Sequence, residues 1–325
     1  DSIPNHTAVS TSVEVTKKYL FGYQNLVNAL LRKYINIKDQ FPLDFLDNGT
    51  YPITSHPKWL LKKWVNEYGL NITLDLCKHN NTPPDIWFRI NDETKLDKIK
   101  KTINEKKIAF KTHDLHPLFF KSNANNDLIK SNLFVNGDIS IQNPINSIIT
   151  SLLDPKDNEI IIDGCAAPGG KGSLISMIAP QAKIYSIDSN KYRMKQLKET
   201  IDRHKIKNIE MIQLDMSKDK LPMANKILLD VPCTGTGVIN RRVDLRWRRK
   251  MDDLRKNSKI QYKILENASK YLYKGGTIVY STCSIEKEEN FDVISKFLDF
   301  NKDFVIDSAE KFVDIKLIQL LSFCN

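Results

Sequence analysis

Five short apolar runs dominate the second half of the chain, at residues 159–163, 183–188, 209–215, 226–230 and 277–283. Helix-patterned stretches fit between them, for example at 173–179, 191–205 and 252–273. Apolar runs of this length alternating with amphipathic helices predict an open, mostly parallel sheet with helices on both faces. Four of the runs end in Asp, at Asp163, Asp188, Asp215 and Asp230, and the fifth ends at Cys283. In open α/β sheets, ligands bind beyond the carboxyl ends of the strands. One such Asp is an ordinary turn residue. Four of them with a cysteine put the chemistry on one rim.

The first run leads into GCAAPGGKG (164–172). Small residues let a ligand approach the backbone, and the following helix presents free N–H groups. The spacing differs from a GxxxxGK[ST] phosphate loop, and residue 172 is Gly. Asp188, at the second strand end, is placed to accept hydrogen bonds from ribose hydroxyls. The pocket therefore suits a nucleoside-containing cofactor, and the absence of GxGxxG disfavours NAD. The fourth run enters DVPCTGTG (230–237) and the fifth enters STCS (281–284), so Cys233 and Cys283 face the same rim. A lone cysteine is usually a small buried hydrophobe. Two beside an acid suit nucleophilic chemistry.

Upstream, apolar residues at helical spacing predict a helix over 12–36, whose stripe (Val15, Tyr19, Tyr23, Leu26, Val27, Leu30, Leu31, Tyr34) has to pack on something. Gly49, Pro52 and Pro57 punctuate the next stretch. A second helix follows, capped by Ser55, with Leu60, Leu61, Trp64, Val65 and Tyr68 on one face. Lys58, Lys62 and Lys63 lie on the other side, as a solvated face or as phosphate contacts. After Pro83-Pro84, a strand over 86–90, a polar helix over 92–105 and a strand over 108–110 suggest a small α+β domain. Trp87 and Arg89 project to the face opposite Ile86 and Phe88. They suit base stacking, and they suit packing against a neighbouring domain equally well.

Lys and Arg outnumber Asp and Glu by 49 to 39, a balance that favours a polyanionic partner, nucleic acid first. The five cysteines are widely spaced without a CxxC pair, which argues against a disulfide framework or a structural zinc site and for a reducing, cytoplasmic setting. No apolar run approaches the roughly 18 residues of a membrane span. No metal site, membrane association or obligate protein partner is expected.

CAAPGGK (165–171), DVPCTGTG (230–237) and YSTCS (280–284) closely resemble the motifs of the Nol/Nop/Sun family of RNA cytosine-5 methyltransferases. NLVNALLRKY (25–34), HPKWLLKKW (56–64) and TPPDIWFRIN (82–91) are similar to the branch that modifies bacterial 16S rRNA, so the resemblance spans nearly the whole chain. It implies a Rossmann-like domain dependent on S-adenosylmethionine over 141–325, a small α+β RNA-binding domain over 49–140, and a partial helical segment resembling NusB over 1–48. Four departures stand out. The usual Gln-Asp is Gln142-Asn143, the usual PCSGTG is PCTGTG, the usual Thr after Lys171 is Gly172, and the sequence stops at LIQLLSFCN without the Gly-Phe-rich closing strand, either truncated or with an unusual last strand.

The resemblance also implies roles. Cys283 is the nucleophile that adds to cytosine C6. Cys233 assists loss of the C5 proton and release of the product. Asp230 bonds the base near N3 and N4 and lies close to the methionine end of the cofactor. Cys165, Ala166, Ala167, Pro168, Gly169, Gly170 and Lys171 surround the cofactor through backbone contacts. Asp188 holds its ribose, and Asp215 its adenine side. The target base has to be unpaired or flipped out. Arg241, Arg242, Arg246, Arg248 and Arg249 grip RNA phosphates or form a solvated run. Two rivals remain: a DNA cytosine-5 methyltransferase, in which the Pro-Cys cysteine would be the nucleophile, and a non-catalytic RNA-binding or ribosome-assembly module.

Overall fold

The computed structural model describes residues 3–37, 54–114 and 116–312. Gly49 and Pro52, and the carboxyl-terminal LIQLLSFCN with Cys324, lie outside the described residues. Contacts divide the chain into two units, residues 1–58 and 59–325.

In the first unit, α1 (Asn5–Tyr19) and α2 (Gln24–Ile37) replace the single helix expected over 12–36. Gly22 has φ 94°, a left-handed conformation that ends the helical run. The break takes the stripe out of one helical phase, so Val15, Tyr19, Tyr23, Leu26, Leu30 and Tyr34 are exposed while Val27 and Leu31 are half-buried.

The second unit begins in α3 (Lys58–Asn81), which kinks at Gly69 (φ 80°, ψ 168°). Ser55 sits three residues before it with φ 54°, in a turn rather than at its cap. Next come β1 (Trp87–Ile90), α4 (Leu96–Glu105), β2 (Phe110–His113), β3 (His116–Ser122), α5 (Asn125–Lys130), α6 (Asn132–Val135) and β4 (Ile139–Ile141). The four strands form an antiparallel sheet in the order β2-β3-β1-β4. Its core joins Phe88 and Ile90 of β1 with Phe120, Ile139 and the buried face of α4, Ile99 and Ile103. β3 had no alternating signature, because Leu118, Phe119 and Phe120 are all buried: both faces of this sheet are covered.

The larger sheet follows. Its elements are α7 (Ile145–Leu153), β5 (Ile160–Gly164), α8 (Gly170–Ile178), β6 (Lys183–Ile187), α9 (Lys191–His204), β7 (Ile209–Ile212), β8 (Ala224–Asp230), α10 (Leu245–Arg248), α11 (Met251–Ser269), β9 (Leu272–Ser281) and α12 (Phe291–Phe300). All five strands run parallel in the order β7-β6-β5-β8-β9, as the alternating pattern predicts. Ile161, Ile184 and Leu228 pack on α7 and α8 through Leu153, Ile175 and Ala179. Ile162, Ile227 and Leu229 pack on the opposite face against Ile264 and Leu265 of α11 and Val293 and Phe297 of α12. The strand order reverses direction between β5 and β8, which opens a crevice where the loops of both strands meet.

Candidate active site

The β8–β9 register sets Asp230 beside Ser281, and the ladder continues one step further, with the Val231 amide donating to Ser281 O at 3.1 Å. Cys233 and Cys283 therefore leave adjacent strands in parallel, three residues beyond Asp230 and two beyond Ser281. Their sulfurs lie 2.9 Å apart. The two sulfurs are thus in direct contact, well beyond the ~2.05 Å of a disulfide. The Gly237 amide donates to Cys283 O at 3.0 Å, and a Cβ at Gly237 would stand 3.1 Å from that oxygen. The small residue lets one loop lie directly on the other. Gly235, with φ 76°, makes the turn that brings it there.

The two thiols are unequal. The hydrogen bond from Cys233 holds the Cys283 thiol below its ordinary value, against the pull of burial and of Asp230, and with help from Arg242 and Lys171. The same bond, then burial, pushes Cys233 up. Cys283 is also the more exposed of the two. An accessible thiol with its thiolate favoured is the chemical description of a nucleophile.

Asp230 is reached from the other side. Lys171 Nζ donates to its Oδ2 at 2.6 Å, and Ser281 Oγ to its Oδ1 at 3.3 Å. A role for the Lys171 side chain was missed by reading 165–171 as a backbone cradle. The remainder of that loop is built for close approach. Cys165 has φ 59° and its thiol is pushed up to about 12, first by burial. Ala166 and Ala167 pack on Leu197 and Ile201 of α9. Pro168 follows a cis bond. Gly169 has φ 99°, and a Cβ there would lie 2.6 Å from Leu197 Cδ1. Gly169 precedes α8 without a capping side chain. This leaves the first N–H groups of the helix for a ligand.

Asp188 is 3% exposed. Its oxygens accept from the Ala167 amide at 3.2 Å and the Asn190 amide at 3.0 Å, and Arg193 lies 3.5 Å away. It thus ties the second strand end to the glycine loop. Asp215 stands beyond the end of β7, and its carboxylate accepts from the Ser217 amide and hydroxyl, which hold it below the usual carboxylate range. Asp163 is internal to β5 and 1% exposed. Burial pushes its carboxyl up to about 7. Among the described residues, no group of His, Cys, Asp and Glu side chains is placed to hold a metal ion.

Several expected contacts take other roles. Arg89 is 1% exposed and stacks on no base. Its guanidinium donates to Gln142 Oε1 at 2.6 Å, Ser173 Oγ at 2.8 Å and Asn91 Oδ1 at 2.9 Å, while Gln142 Nε2 donates to Gly170 O at 2.8 Å. The small sheet thereby grips the start of α8 and the glycine loop ahead of it. Trp87, half-buried, meets His113 edge-on with ring centroids 5.1 Å apart. Lys63 is not on a solvated face: it is buried, donates to Glu67 and Glu288 at 2.5 and 2.8 Å, and lies 3.4 Å from Glu286. Trp64 Nε1 donates to Glu286 at 3.0 Å, and Tyr68 donates to Ile285 O at 2.7 Å, so α3 braces the segment after Cys283. Arg246 is buried against Asn80 O and Asn81 Oδ1, and Arg249 donates to Thr234 O. Of the five arginines, Arg241, Arg242 and Arg248 remain exposed, alongside Trp247. No helix among the described residues is long and apolar enough to cross a membrane.

The comparisons agree with this architecture. The family model described as 16S rRNA methyltransferase RsmB/F matches residues 150–319, and the ferredoxin-like domain model of RsmF/B-like methyltransferases matches residues 56–119. The chain is 33% identical to the ribosomal RNA small subunit methyltransferase B of Proteus mirabilis, over 94% of this chain and 73% of that protein. It is 31% identical to the protein of the same name from Shewanella oneidensis, over 94% of this chain and 71% of that one. A crystal structure of a methyltransferase homologue from Pyrococcus horikoshii superposes with TM-score 0.68 at 28% identity, covering 80% of this chain and 83% of that one. Sheet order, paired-cysteine rim and family models converge: the chain belongs to the RsmB/F family of 16S rRNA methyltransferases.

Proposed function

We propose that the protein methylates C5 of a cytosine in small-subunit ribosomal RNA, in the cytoplasm, with S-adenosylmethionine as donor. The observation that carries this reading is the 2.9 Å pairing of Cys233 with Cys283 beside Asp230. The glycine loop fits the cofactor: the small residues Ala166, Ala167, Gly169 and Gly170, the uncapped start of α8 and the Asp188 carboxylate would form a cradle for a nucleoside and an amino-acid moiety. Residues 165–171 and Asp188 would hold it, with Asp215 toward the adenine and Asp230 toward the methionine end. When bound, the cofactor supplies an electrophilic methyl group.

Cytosine C5 is a weak nucleophile. Addition of the Cys283 thiolate at C6 moves electron density onto C5 and toward N3. Asp230, held by Lys171 and Ser281, would bond the ring near N3 and N4, and would steady that density by donating a proton to N3. After methylation the C5 proton has to leave before the Cys283–C6 bond breaks. Once Cys283 is bound to C6, Cys233 would lose its own proton to solvent and, as a thiolate, take the C5 proton, so that the C5–H electrons form the C5–C6 double bond as the Cys283–C6 bond breaks. The exposed Arg241, Arg242, Arg248 and Trp247 would hold phosphates and a base around the extruded nucleotide. The small domain over 49–140 would add RNA contacts and, through Arg89, support the cofactor loop of the catalytic domain over 141–325. Residues 1–48 would be the partial NusB-like segment.

A DNA cytosine-5 methyltransferase would use the Pro-Cys cysteine, yet here Cys283 is the more exposed thiol of the pair. A non-catalytic assembly module has no need of the paired thiols. The test is labelled methyl transfer to small-subunit rRNA fragments and to matched DNA, with the product nucleoside identified. 5-Methylcytosine in RNA alone supports the reading. Label in DNA, or no label in either, contradicts it.

A further inference from the structure

The two cysteine loops share one support. α3 bonds to both of them, and its kink at Gly69 divides it into two arms. The arm before Gly69 holds the Cys283 side. Trp64 Nε1 donates to Glu286 Oε1 at 3.0 Å, and the Tyr68 hydroxyl donates to Ile285 O at 2.7 Å. Trp64 and Glu286 are both fully buried. The arm after Gly69 holds the Cys233 side. The buried Arg246 guanidinium donates to Asn81 Oδ1 at 2.6 Å and to Asn80 O at 2.9 Å, and Asn240 Nδ2 lies 3.1 Å from His79 Nε2. Arg246 belongs to α10, and α10 is locked to the Cys233 loop. Arg249, just past its end, donates to Thr234 O at 2.9 Å and Cys233 O at 3.4 Å, and a Cβ at Gly235 would lie 2.8 Å from Leu245 Cδ1. Hydrogen bonds from a charged guanidinium are among the strong ones, and a buried charge has to keep its partners. Gly69 has φ 80° and ψ 168°, a region essentially open only to glycine, so the angle between the arms depends on this residue.

We propose that α3 is a splint across the reaction centre: its two arms set the separation of the cysteine loops and keep Cys233 in contact with Cys283, with Trp64, Tyr68 and Arg246 as positioning residues. This rests on the reading of the two cysteines as the reacting pair. The sulfurs are then held together in part by a helix that precedes the catalytic domain in the chain. These residues make and break no bond in the reaction; they act by placing the two loops.

The test uses the full chain without RNA or cofactor. Dibromobimane carries two alkylating arms and fluoresces strongly once both have reacted. After the first arm has alkylated Cys283, the second is captured either by Cys233 or by a competing free thiol. The ratio of bridged to singly labelled Cys283, read by peptide mass spectrometry, therefore reports the effective concentration of Cys233 at Cys283. Tyr68→Phe and Asn81→Ala remove one bond from each arm, at a half-buried and an exposed position. In the double variant the ratio should fall by about tenfold, well within what loss of a fixed geometry can cost. Asn81→Asp keeps an acceptor for Arg246 and should stay at the wild-type ratio. Gly69→Ala touches neither loop, because no atom lies within 4 Å of the added Cβ, yet it strains the kink and should lower the ratio as well. A wild-type ratio in the folded double variant or in folded Gly69→Ala overturns the proposal, as does an equal fall in Asn81→Asp and Asn81→Ala. In methyl transfer the double variant should lose kcat with cofactor affinity unchanged by calorimetry; an equal loss of cofactor affinity would mark a general loosening and also overturn it. Bridging needs no methyl transfer, so if the wild type methylates no RNA, the proposed reaction fails while the bridging ratios still decide the role of α3.

Discussion

Arg89 of the small sheet donates to Ser173 of α8 at 2.8 Å and to Gln142, which in turn holds Gly170 O. The glycine loop is therefore anchored by the small sheet. Arg89→Met keeps the bulk and removes the donors, leaving Gln142 and Ser173 short of partners. Hydrogen bonds to a charged group are worth about 1.5–3 kcal/mol each, so loss of the bonds to Gln142 and Ser173 should lower folding stability by roughly 3–6 kcal/mol in urea titration. Cofactor binding by calorimetry should weaken by about tenfold, the equivalent of ~1.4 kcal/mol. Wild-type affinity in a folded Arg89→Met protein would separate this contact from the cofactor site.

Asp163 gives a pH signature. Burial raises its carboxyl from the usual 3.8 to about 7 in the folded chain. The folded state then binds more protons than the unfolded one between those values. Stability from this group is fully present below the unfolded value and is lost as pH rises through 7. Each pH unit between them is worth about 1.4 kcal/mol, so the total is up to ~4 kcal/mol. Relative to Asp163→Asn, the wild type should lose stability from about pH 4 to pH 7 and then level off. Parallel urea midpoints for the two proteins across that window would show that Asp163 is ionised at no cost.

Gly137 joins the small sheet to α9. It has φ 78°, and a Cβ there would lie 2.1 Å from Arg203 O. Backbone cannot retreat as a flexible side chain can, and the conformation itself is strained for an L residue. Gly137→Ala should cost at least about 3 kcal/mol, read as a drop in the urea midpoint. A loss under about 1 kcal/mol would mean that the turn and α9 separate freely.

The parallel sheet was legible because its strands are buried on both faces and read as short apolar runs between helices. The rim was legible because Asp230, Cys233 and Cys283 sit at strand ends and in distinctive loops. Other positions depended on what lies opposite them. Alternation placed Arg89 opposite Phe88, but only the fold shows that a second domain covers that face. Lys63 and Arg246 read as ordinary cations, yet they are buried against partners more than 150 residues away in the chain, Glu286 and Glu288 for one and Asn80 and Asn81 for the other. Glu289 follows Glu286, Lys287 and Glu288, a charged run that locally looks like a solvated surface. Its burial follows from α11 and the Cys233 loop closing over it, which no local pattern encodes. The single helix over 12–36 failed at Gly22, where a left-handed residue outweighs the periodicity on either side.

Cys233→Ala removes the donor beside Cys283. The apparent pKa governing Cys283 alkylation should rise toward the ordinary thiol value of about 8.5. The variant should also accumulate a covalent protein–RNA adduct, visible on a denaturing gel, because addition proceeds and release stalls. Absence of an adduct in a variant that still binds RNA would remove the release role from Cys233.

The most direct test of the central claim is methyl transfer by Cys283→Ala, with labelled cofactor and a cytosine-containing small-subunit rRNA fragment. The account predicts transfer indistinguishable from a no-enzyme control, with cofactor binding retained and no covalent adduct. Undiminished transfer by Cys283→Ala would contradict it.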